Sequence, residues 1–268
     1  MRASNIIYLV PYLLISVAVS ACNSLYWPTS PDANWTIHET SRFSLYVRPG
    51  SFCATVAQEL GEGLEYQYDH ATAALALAQS GPITLFLYNS GAEVTPSLGA
   101  GRSGVAFPQT GAVHAVCFAP LDDNLRGLLA HEANHVIVKR ALGTPGTSFM
   151  NEGLASALVS ERVFGPTALH AWARTRRAQL PSIATLADDA QWSSSSELGY
   201  KTSASFLAWL LETQGRERLR QVYHASSKEI GDRVRAVYGV TLEQLEAQWL
   251  AFLGGATTAA GPALAGAR

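Results

Sequence analysis

The chain has 268 residues, 48% of them hydrophobic and 15% charged, and its 19 Lys+Arg against 21 Asp+Glu leave a formal charge of −2. With no basic stretch beyond the short cluster Arg174, Arg176 and Arg177, which reads as a solvated helix face, this balance excludes electrostatic capture of nucleic acid, and no such partner is expected. Cys53 and Cys117 stand in no zinc-binding spacing, so a thiolate metal site is excluded as well; whether they pair as a disulfide or stay as two thiols is open at this level.

Read from the start, Arg2 precedes an apolar run from Ile6 to Val19 that Pro11 interrupts and that is too short for a comfortable membrane span. It has the length of a signal-peptide core and leads to small residues. Val19-Ser20-Ala21-Cys22 resembles a bacterial lipobox, so residues 1–21 are expected to be a signal peptide and Cys22 the lipidated first residue of the mature chain. An ordinary cleaved signal and a retained anchor helix are the alternatives. The lipobox reading and the ordinary cleaved signal both place the mature protein outside the cytoplasm, and the lipobox reading, which is the one expected, holds it by its lipid to a bacterial membrane, at the periplasmic face or the outer membrane. Residues 22–34, with Pro28, Ser30 and Pro31, read as a tether.

From Trp35 onward, about 230 residues are enough for one sizeable core, and residues 35–253 are expected to form one domain with a sheet lobe over 35–121 and a helical lobe over 122–253. Trp35 to Val47 reads as strand, with Phe43, Leu45 and Val47 alternating against Ser44 and Tyr46. Cys53 to Ala78 carries a long helical pattern. Ile83 to Tyr88 is a compact apolar strand, Val105 to Phe107 a weaker one, and Val113 to Phe118 another. From Asp122 nearly everything reads as helix, and the Gly/Ala/Thr-rich residues 254–268 read as a disordered tail. The fold class is therefore α+β: a small mixed N-terminal sheet with a long helix, followed by a mostly helical part.

The most informative stretch is His131-Glu132-Ala133-Asn134-His135. Leu125, Leu128, Leu129, Val136 and Ile137 recur around it at helical spacing, one of Asp122, Asp123 or Asn124 can cap the start, and Gly143-Thr144-Pro145-Gly146 is a stop signal. On a helix, histidines at i and i+4 share one face and both imidazoles can reach one metal ion. Glu132 beside them is suited to take a proton from water. A second helix follows at once, Phe149-Met150-Asn151-Glu152-Gly153-Leu154-Ala155-Ser156-Ala157, and a short connection packs two helices as neighbours, which can bring Glu152 beside the histidines. Two imidazoles and a carboxylate with an open position suit a catalytic Zn2+.

Taken together, H-E-x-x-H followed by N-E-G-x-A resembles the gluzincin metallopeptidases, in particular the small bacterial peptidase MA-like group. The resemblance extends from about Trp35 to Leu253, and takes in Leu198-Gly199-Tyr200-Lys201-Thr202-Ser203 and the closing stretch Val237 to Trp249. It implies a zincin-like fold, His131, His135 and Glu152 as zinc ligands, Glu132 as general base, and Tyr200 as a donor to the oxyanion of peptide hydrolysis. It also implies a peptide or protein substrate bound as an added strand along a cleft edge, for which residues 111–118 are the candidate. His114, within that stretch, is not taken as a ligand. One departure stands out: Ser156 occupies the place where many relatives carry an acidic residue that orients a histidine. The rival readings are a zinc hydrolase of a non-peptide amide or ester, and a binding-only lipoprotein that kept the fold.

Overall fold

The computed structural model describes residues 34–93, 103–192 and 197–255. The signal peptide, Cys22, nearly all of the tether and most of the expected tail lie outside the described residues.

A short antiparallel hairpin opens the fold: β1 (Thr36–Glu39) against β2 (Phe43–Val47), with Ile37 opposite Tyr46. The helical pattern expected over 53–78 is divided, because the backbone turns at Val56, into a single turn α1 (Phe52–Thr55) and the long α2 (Ala57–Leu75). Leu60, Leu64, Tyr68, Ala71 and Leu75 then form one buried stripe along α2 at steps of three and four. Next come β3 (Ile83–Tyr88), β4 (Gly104–Phe107) and β5 (Ala112–Val116). The strands assemble in the order β1-β2-β3-β5-β4, with β2, β3 and β5 parallel and the two edges antiparallel.

Strand alternation decides what each face does. Leu45, Leu85 and Val113 share one row and Val47, Leu87 and Ala115 the next, all buried in the main core with the helices. On the other face Tyr46, Phe86 and His114 form a cross-strand stack, with ring centroids 4.9 and 4.7 Å apart, and Trp35 packs edge-on against Phe86 and Tyr88. This explains why β3 reads as an apolar strand with only Thr84 interrupting it: both of its faces are covered.

The rest is helical, which with the mixed sheet makes the protein α+β as the pattern predicts. Helices α3 (Asp123–Leu142) and α4 (Ser148–Ala157) carry the sequence motifs. They are followed by α5 (Pro166–Thr175), α6 (Ile183–Ala187), α7 (Asp189–Trp192), α8 (Glu197–Gln214), α9 (Arg216–Val222), α10 (Ile230–Tyr238) and α11 (Leu242–Leu253). A single core cluster runs from the sheet through these helices, reaching Trp209 and Trp249. The arginine cluster is exposed as expected, and Arg174 additionally donates from Nε to the Leu253 carbonyl at 2.9 Å, closing the end of α11.

Cys53 on α1 and Cys117, just after β5, form a disulfide across a sequence separation of 64 residues. The bond joins the N-terminal part of the fold to the strand that leads into α3. Closing a loop of that size restricts the unfolded chain by an amount equivalent to about 4 kcal/mol in the entropic account, of which about 2–4 is commonly realised. Replacing both cysteines by alanine is expected to lower unfolding free energy by about 2–4 kcal/mol, read as a lower denaturant midpoint; an unchanged midpoint would mean the bond closes nothing that folding leaves open.

Candidate metal centre

Helix α3 begins where Asp122 accepts hydrogen bonds from the backbone of Asn124 and Leu125, at 3.0 and 3.1 Å, so of the three capping candidates Asp122 is the cap. Leu125, Leu129, Ala133, Val136 and Ile137 are buried in the core, which turns His131 and His135 toward the neighbouring α4. That helix is capped by the Thr147 hydroxyl. It packs closely on α8 because residue 153 is glycine: a Cβ there would lie 2.8 Å from the Ser203 Cβ and 2.9 Å from Leu207 Cδ1. The glycine of N-E-G thus lets α4 sink against α8, with Glu152 on the side facing α3.

Three donor atoms meet between α3 and α4. His135 Nε2 lies 3.1 Å from His131 Nε2, and Glu152 Oε2 lies 3.2 and 3.3 Å from His131 Nε2 and His135 Nε2 respectively. Donors held about 2.0–2.1 Å from a tetrahedral zinc stand about 3.3–3.4 Å from one another, so the triangle has the dimensions of three corners of such a site. The outer atoms are held too. His131 Nδ1 is 3.0 Å from Ser156 Oγ, and Asn151 Nδ2 donates to Glu152 Oε1 at 2.7 Å. With a metal on Nε2 the ring proton would stay on Nδ1, and Ser156 Oγ would accept the hydrogen bond that Nδ1 donates. The serine in place of an acidic residue therefore still orients the histidine.

Crowding of these groups shapes their titration. Burial works against the charged form of Glu152, but the charge of His135 and hydrogen bonds from both imidazoles outweigh it and hold the carboxyl well below its usual range. For His131, burial likewise favours the neutral ring and is overcome by the hydrogen bond to Glu152 and the charges of Glu132 and Glu152, so its pKa is raised.

Glu132 is buried on α3, and the sheet edge lies on it. A Cβ on Gly104, the first residue of β4, would come 2.9 Å from Glu132 Oε1 and 3.0 Å from Leu128 Cδ1. A side chain at this position would displace the ends of Glu132 and Leu128, so the glycine leaves Glu132 where it is. This corrects the reading of residues 111–118 as the cleft edge: β5 is an interior strand, paired with β3 on one side and β4 on the other. Among the described residues the edge on this side is β4, whose four half-buried residues carry a weak strand signal. His114 is on the face away from the helices, 2.8 Å from the Tyr88 hydroxyl through Nδ1, and burial lowers its pKa to about 4; it belongs to the aromatic stack.

Tyr200 is on α8, one turn before the Ser203 that meets Gly153, with its ring 5.2 Å from that of Trp192. The sequence reading missed Asn151, Gly104 and a buried amide pair, Gln67 and Asn134. Asn134 offered a signal, as a polar residue inside the buried arc of α3, where a partner is obligatory.

A mixed sheet laid over a helix that bears two donors, with a third on the next helix, defines a peptidase-type fold with a candidate metal site. The chain belongs to the peptidase MA superfamily, whose family model matches residues 69–255, from α2 to the end of α11. No curated protein matches it.

The two shifts set a pH window for the metal-free protein. A depressed carboxyl contributes stability above its ordinary pKa of 4.5 and loses it as pH falls through the folded value; a raised imidazole contributes below 6.5 and loses it as pH rises through the folded value. The stability advantage of the chelator-treated parent over Glu152→Gln is therefore expected to be full between pH 4.5 and 6.5 and to shrink on both sides. Melting curves across about pH 3–9 test it, and a pH-independent difference would contradict the pairing.

Proposed function

We propose that this protein is a zinc-dependent peptidase whose catalytic domain lies outside the cytoplasm and is held to the membrane by a lipid anchor. The observation that carries the reading is the triangle of His131, His135 and Glu152 donors, with Glu132 next in sequence to the first of them. These three residues would hold the ion. When bound there, zinc supplies a Lewis acid that polarises a carbonyl and brings the pKa of a water toward neutrality.

Glu132 then serves as the base. Its carboxylate takes a proton from the attacking water and delivers it to the departing amine nitrogen. Ser156 and Asn151 keep His131 and Glu152 in their orientations throughout. The outer edge of β4, which has no strand partner among the described residues, presents backbone groups to which an extended peptide can add as a further strand beside Glu132. Tyr200 is assigned as the donor to the carbonyl oxygen as it gains negative charge, where one such donor is worth ~10²–10³ in rate.

The compartment reading draws on the leader and the disulfide. A buried Cys53–Cys117 bond is at home in an oxidising environment. No helix among the described residues is long and apolar enough to cross a membrane, and Cys22 is proposed to provide the attachment.

Elemental analysis of the purified protein is expected to find about one zinc per chain, lost in His135→Ala. Glu132→Gln should keep the zinc while cleavage of a peptide library falls by at least ~10²-fold; wild-type turnover in that variant would remove Glu132 from the chemistry. Cys22→Ser is expected to move the protein from the membrane fraction to the soluble one, and an unchanged distribution would reject the lipid anchor.

A further inference from the structure

Behind the three donors lies a buried polar cluster that packing alone does not require. Gln67 on α2 is 2% exposed and Asn134 on α3 is fully buried. Leu60 and Leu64 of α2 and Leu129 and Ala133 of α3 belong to the apolar core, and the other polar link between the two helices, Arg126 with Glu59, lies at the exposed margin. Gln67 Nε2 donates to Asn134 Oδ1 at 2.9 Å and to the Leu158 carbonyl at 2.7 Å, and its Oε1 accepts from the Ser160 backbone at 3.0 Å. Asn134 Nδ2 donates to the Ala155 carbonyl at 2.8 Å. Both amides are thus used on their donor and acceptor sides, and every bond ends on the other amide or on the last turn of α4 and the residues after it.

We infer that Gln67 and Asn134 are positioning residues for the metal centre, setting the distance and register of α4 against α3. This rests on the reading of His131, His135 and Glu152 as metal ligands. The two histidines are fixed relative to each other by the helix they share. Glu152 is not: its place depends on how α4 sits against α3. The final carbonyls of a helix have no partner within it, and here Asn134 supplies one to Ala155, three residues after Glu152 and next to Ser156. Asn134 itself adjoins His135. A directional bond therefore links the backbone flanking one ligand to the backbone carrying another, and Gln67 locks it from α2. Apolar side chains of similar size would fill the same volume without fixing the register. A metal site tolerates only about 0.2 Å in its ligand distances, so affinity follows that register.

The test is zinc affinity of the full chain, measured by competition with a chromophoric chelator, for the parent, Asn134→Leu and Gln67→Met. Leu245→Ala serves as control, a cavity in α11, which packs chiefly on α5, α6, α8 and α10. Both amide variants are expected to bind zinc about 10–100-fold more weakly and to shift the absorption bands of bound Co2+. Leu245→Ala, although of lower melting temperature, should keep the parent's affinity and bands. Gln67→Met leaves the motif helix untouched and carries the test where Asn134→Leu does not fold. Parent-like affinity in the amide variants, or an equal loss in Leu245→Ala, overturns the inference while leaving the metal centre standing. A parent that takes up no zinc overturns the metal-centre reading, and this inference with it.

Discussion

The separation of α3 and α4 is the constraint on which the rest of this structure depends. Donor atoms of the two helices stand 3.2 and 3.3 Å apart, whereas helix packing by itself leaves interaxial distances free over about 2 Å. The fold narrows that freedom from several sides. The sheet and α2 carry α3 on its apolar stripe, α8 receives α4 at Gly153, and hydrogen bonds between buried amides and the end of α4 tie the pair together. Ser156 and Asn151 then need to correct only the last rotation of His131 and Glu152.

The N-terminal third serves this arrangement in a different way. One sheet face is given to the helices and the other to the stack of Tyr46, Phe86 and His114, so the sheet is a wall between two environments. Its parallel centre requires crossovers, and α2 is the long element of one of them, placed against α3 as a consequence. The match to the peptidase MA superfamily begins at residue 69, within α2. The hairpin, α1 and the first turns of α2 precede it, and the Cys53–Cys117 bond fastens α1 to the matched part.

Much of the candidate site was legible because its geometry is local. H-E-x-x-H on one helix and N-E-G on the next need only helical periodicity and a short connection to meet, and they do. Asp122 as a cap, the β3 run and the helical second half follow from equally local rules. What stayed hidden depends on long-range pairing. Nothing in residues 104–107 says that they, and not 112–116, form the sheet edge, since strand order is set by hydrogen-bond partners far apart in sequence. Gln67 is 67 positions from Asn134, so their bond leaves no trace in spacing. Gly104 resembles any loop glycine until Glu132 is seen against it. The pairing of Cys53 with Cys117 was open for the same reason.

The depth to which α4 sinks at Gly153 also makes the backbone beside the three donor atoms stiff. On that side the backbone of the third donor's helix is wedged between α3 and α8, with almost no free volume at the contact. On the opposite side stands β4, four half-buried residues joined to the sheet along one edge. In the peptidase reading proposed above, a bound peptide would therefore meet the donor-bearing helix as the fixed side, an anvil set by Gly153.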